Sequence, residues 1–401
     1  MNACLLPLQG TVRHYEWGGT AFIPALLGLP NPGGQPFAEL WVGAHPSAPS
    51  RVATGEMLDD VIAREPQSIL GTISLRRFGR QLPYLFKVLD ARQMLSIQAH
   101  PTKRQAEEGF ARENAAGIDL GAAHRNYKDE NHKPELHVAL SDLWMLHGFR
   151  PPDQIAEVLM EVPEFRPLAS SPGSLKELYG TVMQMPQQEV DAVLDPLIAR
   201  LERENPVDKE APDFWALRAA RAFAIPKGHR DRGIISIYLL NLVHLRPGQG
   251  TFQPAGVLHA YLEGVTVELM ANSDNVLRGG LTPKHVDVAE LLRTLTFEAA
   301  MPETLEGAAV SPCETVYRTA ADEFELSRVE LVSGKPGFSA LAKGPDTLTV
   351  LEGSAEVICG TERLSLRRGE SVLVRCGSEY RMEGQGLLFR AVVPLRWESE
   401  E

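Results

Sequence analysis

Cysteine is scarce: the chain has four, at positions 4, 313, 359 and 376, with no CxxC pair and no dense framework. That excludes a fold built on disulfides and predicts reduced thiols. No apolar run is long enough to span a membrane. The opening stretch, MNACLLPLQGTVRHYEWGG, has no basic segment leading into an apolar core and a cleavage site. The expected location is the cytoplasm. Positive charge is in deficit, with a formal net charge of −12, so nucleic acid and membrane surfaces are not expected partners. A small anionic substrate stays open, because a local basic pocket can oppose the overall charge. Linear repeats, low-complexity tracts, a P-loop and a dinucleotide-binding fingerprint are all missing.

What is present describes a globular chain. With 401 residues, 44% of them hydrophobic and 23% charged, it can bury a substantial core, and its length suggests two or three domains. Up to about residue 150 the sequence reads as short strands between turns. Apolar stretches at 82–89 and 94–98 precede a break at Pro101 and Thr102. KRQAEEGFARENAA then reads as a helix turning Ala106, Phe110 and Ala111 to the core.

From 151 to 243 the spacing becomes helical. Val190, Val193, Leu194, Leu197, Ile198 and Leu201 recur three and four apart, and Pro196 is expected to kink that helix or begin it. GIISIYLLNLVHL reads as a buried helix. Near Leu245 the pattern returns to strands, and after Ala320 a second strand-rich series runs to the carboxy terminus. Glycines 334, 353, 360, 369 and 377 fall near its expected hairpin turns.

The chemistry concentrates in three segments. In SIQAHP, residues 96–101, Gln98 and His100 stand two apart, so a strand puts both on one face. NHKPELH clusters His132, Lys133, Glu135 and His137, and GVLHAYLEG contributes His259. A set drawn from Gln98, His100, Glu135 and His259 offers an amide oxygen, a carboxylate oxygen and two imidazole nitrogens. Such a mixed shell suits zinc with an open position, and ligand type alone leaves iron and manganese as alternatives. Spacing alone does not bring the four side chains together.

Across almost its whole length the chain resembles the type I mannose-6-phosphate isomerase family. The resemblance rests on YEWGG at 15–19, AELWVGAHPSAPS at 38–50, LPYLFKVL at 82–89 and LSIQAHP at 95–101. It continues through YKDENHKPE at 127–135, LHAYLEG at 258–264 and VELMANSDNVLRGGLTPK at 267–284. It implies a mainly β fold, with two cupin-like β-barrel (jelly-roll) domains and a helical insertion domain. The expected intervals are 1–150 and 244–320 for the catalytic cupin-like domain, 151–243 for the insertion and 321–401 for the second cupin-like domain. The implied activity is reversible aldose–ketose exchange between mannose 6-phosphate and fructose 6-phosphate, with one zinc ion per chain. Gln98, His100, Glu135 and His259 are the implied ligands. Trp17, Lys87, His132, Lys133, Glu268, Arg278 and Lys284 are implied in or near the active site. The family pattern PANxPHAYL reads PAGVLHAYL here, with Gly256 and Leu258 as departures, and Val265 replaces an acidic residue often found after the loop glycine.

Such an exchange needs a proton shuttle near C1 and C2, and stabilisation of charge on their oxygens. Lys133 is the leading base candidate, because an amine beside a cationic metal is expected to titrate below its solution value. His132 and a metal-activated water are its alternatives, and Glu268 is expected to orient Lys133 or a substrate hydroxyl. Arg278 and Lys284 bring positive charge for the phosphate and the reacting sugar oxygens, with either one open to either role. Trp17 offers a sugar-packing wall, and Lys87 is a charge that needs a partner, a solvent-filled pocket or a path to the surface. The carboxy-terminal strands carry no second ligand set and read as a packing domain. The competing functions are a metal-dependent cupin oxygenase, distinguished by iron and oxygen dependence, and an inactive sugar-phosphate-binding protein, distinguished by binding without turnover.

Overall fold

A computed structural model of the chain describes residues 3–170, 173–223, 225–299 and 301–394. The strands up to the second ligand segment are β1 (Leu5–Gln9), β2 (Thr11–Arg13), β3 (Glu39–Gly43), β4 (Arg51–Val52), β5 (Tyr84–Ala91) and β6 (Ile97–Ala99), then β7 (Glu135–Ala139), β8 (Leu143–Phe149), β9 (Leu240–Leu245), β10 (Gly250–Gln253), β11 (His259–Ala271) and β12 (Leu277–Gly280). Beyond them come β13 (Ala308–Ser311), β14 (Glu314–Tyr317), β15 (Glu325–Leu331), β16 (Phe338–Leu341), β17 (Asp346–Cys359), β18 (Glu362–Arg367), β19 (Ser371–Val374) and β20 (Glu379–Val392).

These strands form two antiparallel sheets. One runs β10–β7–β11–β5–β3–β2 and carries β6, β12, β8 and β9 through the first part of β11. The other runs β13–β14–β15–β20–β17–β19–β1–β4, with β16 on β20 and β18 on β17. Pairing therefore crosses the expected intervals: β1 and β4 from the amino-terminal part, and β13 and β14 from before residue 320, join the carboxy-terminal sheet. Residues 1–2 and 395–401, at the ends of those intervals, lie outside the described residues.

Five α-helices, α1 (Phe22–Leu26), α2 (Leu58–Arg64), α3 (Pro66–Phe78), α4 (Lys103–Ala115) and α5 (Pro152–Glu161), are followed by α6 (Leu175–Gln184), α7 (Gln187–Glu204), α8 (Pro212–Ala222), α9 (Gly233–Leu239) and α10 (Val288–Thr294). The insertion α5–α9 sits between β8 and β9. Its core gathers Leu194, Leu197, Ile198 and Leu201 of α7 with Trp215, Tyr238 and Phe165. Each such side chain contributes roughly 1.5–3 kcal/mol by leaving water. Helix α7 passes through Pro196 as one element.

Three expectations need correction. GIISIYLLNLVHL is not one helix: α9 ends at Leu239 and β9 pairs with β8. An apolar run buried on every side has no periodicity to separate helix from strand. In α4 the buried face is Ala106, Gly109 and Glu113, while Phe110 is half-buried and Ala111 exposed, because the ring of Tyr127 lies against Gly109. Cys4 and Cys359 form a disulfide, whereas Cys313 and Cys376 are free. The start of β1 meets the turn between β17 and β18, where the Glu362 carboxylate accepts from Cys4 N at 3.0 Å, and two cysteines 355 residues apart come together, a juxtaposition that spacing does not reveal.

The first sheet separates apolar from polar by simple alternation. Tyr84, Phe86 and Val88 of β5, Leu136 and Val138 of β7, and Val267 and Leu269 of β11 face a core shared with Leu326, Leu373 and Phe389 of the other sheet. The alternate residues face the opposite way, and the reactive side chains lie among them.

Candidate active site

Register places the polar residues in rows. Across β10–β7–β11–β5–β3, the directly opposed residues are Thr251, His137, Glu268, Lys87 and Trp41. One row along, Gln253 lies opposite Glu135. Across β8–β11–β6–β12 the opposed residues are His147, His259, Gln98 and Arg278. Strand β11 belongs to both rows, so Glu268 and His259 are brought together by one strand that bends near Gly264, where φ is +130°.

His100, Glu135 and His259 converge, each only 1% exposed. His100 Nε2 lies 3.3 Å from Glu135 Oε1, and His259 Nε2 lies 3.4 Å from Glu135 Oε2. His100 Nδ1 donates to the Asn275 carbonyl at 2.8 Å, and His259 Nδ1 donates to the Val257 carbonyl at 3.1 Å. A carbonyl only accepts, so both protons sit on Nδ1 and both Nε2 lone pairs are left free. Those two nitrogens and Glu135 Oε2 are buried without a hydrogen-bond partner. Burial pushes the His100 imidazole down to about 4, against the pull of Glu135. Buried polar atoms are nearly always satisfied, and two imidazole nitrogens with one carboxylate oxygen are donors that fit a metal ion.

A cavity of about 500 Å³ opens beside the trio, and Trp17, Lys87, Gln98, Lys133, Glu135, Glu268, Arg278 and Lys284 line it. Lys133 Nζ is 3.1 Å from Glu135 Oε1. Lys87 Nζ bonds Glu268 Oε1 at 2.8 Å and lies 5.0 Å from the Trp41 ring centre. Burial works against the Lys87 ammonium, but Glu268 and Glu39 outweigh it and raise its pKa. The second oxygen of Glu268 accepts from the Tyr261 hydroxyl at 2.7 Å. Trp17 is seated by the two glycines after it: a Cβ on Gly18 would meet the Ala38 backbone, and one on Gly19 the Asp90 carboxylate.

At the mouth, burial lowers the pKa of Arg278. Lys284 is lowered by burial and then by the positive charges of Arg278 and Lys128. Neither cation has a carboxylate partner among the described residues. His132 is not brought to the cavity; its Nε2 bonds Glu323 Oε1 at 2.6 Å, across to the segment leading into β15.

Residues 5–152 match the family described as phosphomannose isomerase type I, catalytic domain. Mannose-6-phosphate isomerase of Escherichia coli K12 is 39% identical over 395 residues, covering 96% of this chain and 98% of that protein. Mannose-6-phosphate isomerase 2 of Arabidopsis thaliana is 32% identical, with 97% and 94% covered. The crystal structure of the Salmonella typhimurium enzyme bound to fructose 6-phosphate and zinc superposes with a TM-score of 0.88 at 37% identity, covering 98% of this chain and all of that one. The chain belongs to the type I phosphomannose isomerase family.

The departures from the family pattern have structural counterparts. Gly256 has φ +78°, the left-handed region in which asparagine, the usual family residue, is also tolerated. Leu258 is 1% exposed in the core of the helical insertion. Sequence reasoning placed His137 in a polar cluster without a role and gave none to Tyr261 and Glu39. His137 and Tyr261 hydrogen-bond each other beside Glu268, and Glu39 accepts from Trp41 Nε1 at 2.5 Å. The available signal was alternation: each faces inward from a strand whose other face is apolar.

Proposed function

We infer that this protein is a zinc-dependent mannose-6-phosphate isomerase, interconverting mannose 6-phosphate and fructose 6-phosphate. The observation that carries this reading is the buried His100–Glu135–His259 trio, with three orphaned donor atoms, beside a cavity whose mouth holds two cations lacking carboxylate partners. Gln98, opposed to His259 and lining the same cavity, completes the proposed ligand set. Zinc, when bound, supplies a Lewis acid for the sugar oxygens at C1 and C2.

The chain's own residues do the rest. In the aldose-to-ketose direction the C2 proton leaves, its bond electrons form C1=C2 and the carbonyl pair moves to O1, which takes a proton; C1 is then protonated as O2 gives up its proton and C2=O forms. We assign the transfer between C2 and C1 to Lys133, whose amine lies in the cavity wall beside Glu135. Lys87 is held charged by Glu268, so it donates hydrogen bonds to sugar oxygens and is unsuited to act as the base. Both oxygens of Glu268 are engaged, by Lys87 and Tyr261, which gives it an orienting role. Trp17 offers its ring to sugar C–H groups. Arg278 and Lys284 hold the phosphate; their depressed pKa values reflect burial and, for Lys284, like-charge crowding that a dianion relieves.

The test is a coupled isomerase assay on purified protein with metal measured on the same sample. Turnover of both sugar phosphates is expected without a nicotinamide cofactor in the isomerising step. A zinc-replete preparation that converts neither would overturn the reading.

A further inference from the structure

Leu281 stands out in the loop between Arg278 and Lys284. It has φ +52°, a left-handed conformation that leucine rarely adopts, and it is fully buried. A strained residue persists only where its surroundings over-determine it, and such residues gather at functional sites.

The surroundings here belong to the helical insertion. Asp231, only 4% exposed, accepts three backbone hydrogen bonds. Its Oδ1 takes the Gly233 N–H at 2.7 Å and the Leu281 N–H at 3.0 Å, and its Oδ2 takes the Thr282 N–H at 3.1 Å. Two of those donors lie in the loop itself. Beside them the start of α9 meets the end of β12 backbone to backbone. A Cβ on Gly233 would sit 2.7 Å from Leu281 N, and one on Gly280 would sit 2.6 Å from Gly233 Cα. The carboxylate, the two bare backbones and the left-handed leucine thus describe one docking geometry. It fixes the path of the chain from Arg278 through Leu281 and Thr282 to Lys284, all of which line the cavity.

We propose that Asp231 is a positioning residue for substrate phosphate: it clamps the 280–282 backbone so that Arg278 and Lys284 stand at the spacing one phosphate group requires. The insertion thereby sets substrate affinity without touching the reacting carbons. This rests on the reading of Arg278 and Lys284 as the phosphate site.

The experiment uses zinc-loaded, full-length protein and four variants: Asp231→Asn, Asp231→Ala, Gly233→Ala and Arg278→Gln. For each, KM and kcat for mannose 6-phosphate, competitive inhibition by inorganic phosphate, zinc content and thermal unfolding are measured. Asp231→Ala is expected to raise KM and the phosphate inhibition constant together, roughly 10- to 100-fold. Its kcat should stay within about threefold and its zinc content unchanged, since the clamp acts on binding rather than on proton transfer. Gly233→Ala reaches the same loop by a different route and should give the same signature. Combining it with Asp231→Ala should add little, because both break one contact.

If Asp231→Ala is too unstable to assay, the nearly isosteric Asp231→Asn carries the test, with a smaller rise in KM because one acceptor oxygen survives. Lower thermal stability with KM and phosphate inhibition unchanged would make Asp231 merely structural and overturn the proposal, as would loss of zinc or a fall confined to kcat. Arg278→Gln separates the two claims. Unaltered KM in that variant sinks the phosphate reading itself; raised KM there, with Asp231→Asn and Gly233→Ala both normal, sinks the clamp alone.

Discussion

His100 can offer Nε2 to a metal only while its ring is held in one orientation, and the carbonyl of Asn275 holds it. The Asn275 side chain is buried and fully used. Its Oδ1 accepts from Lys128 N at 2.7 Å, and its Nδ2 donates to the carbonyls of Asp129 at 2.8 Å and Asn131 at 2.9 Å. The amide thus ties the segment before Lys133 to the one that orients His100. Asn275→Ala is expected to weaken zinc binding about 10- to 100-fold, measured by competition with a chelator; unchanged affinity would mean the carbonyl needs no help from its own side chain. Lys133 calls for a different readout. Lys133→Met keeps the reach but removes the amine, so zinc should be retained while solvent exchange of C2-deuterated mannose 6-phosphate falls roughly 10²–10⁴-fold. Near-normal washout from zinc-loaded Lys133→Met would move the proton transfer to another group. His132 is the less attractive substitute, being engaged with Glu323 and turned from the cavity.

At the level of elements, α4 shows how tertiary contact overrules propensity. Its capping box is intact, with Thr102 and Gln105 bonding each other's backbone. Gly109 inside it costs the isolated helix about 1 kcal/mol relative to alanine. Yet a Cβ there would press into the ring of Tyr127, whose hydroxyl donates to Glu290 of α10 at 2.5 Å. Gly109→Ala should therefore lower the thermal midpoint, since overpacking costs about 1–3 kcal/mol; a raised midpoint would show that the ring yields and propensity governs. The same override explains what the sequence hid and what it displayed. Gln98 and His100 were legible as a pair because a strand has a period of two. The alternation in β5 exposed Lys87 as a charge needing a partner, but not that the partner is Glu268, 181 residues away. His259 entered the set by residue type alone, because no local pattern reports a pairing between β6 and β11. The switch from α9 to β9 was invisible in an apolar run. It is fixed by pairing with β8 and by Asn241 Nδ2, which donates to the carbonyls of His147 and Phe149 at 3.0 Å each.

Over the whole molecule, buried histidines of the polar interior add to the dependence of stability on pH. His147 is 8% exposed, and its Nε2 donates to the Phe252 carbonyl at 3.1 Å. Burial pushes its pKa down to about 4, and burial does the same to His45, at about 4, against the pull of Asp274. In the unfolded chain each imidazole titrates near its ordinary 6.5. A depressed folded pKa means that the unfolded state takes up protons first as pH falls. The stability contributed by the neutral ring is therefore complete above about pH 6.5 and is lost progressively towards pH 4. For His147 the loss is about 2 kcal/mol by pH 5, worth a few degrees in the thermal midpoint. His147→Gln keeps a donor for the Phe252 carbonyl but cannot titrate, so its midpoint should fall less steeply between pH 7 and pH 5 than that of the parent. Both proteins should be compared free of metal, because metal binding is itself pH-dependent and acid would release zinc from each. The other titrating groups are common to parent and variant and cancel in the difference between their slopes. Equal slopes would mean that His147 is protonated as readily in the folded chain as in the unfolded one, and that the acid sensitivity arises elsewhere.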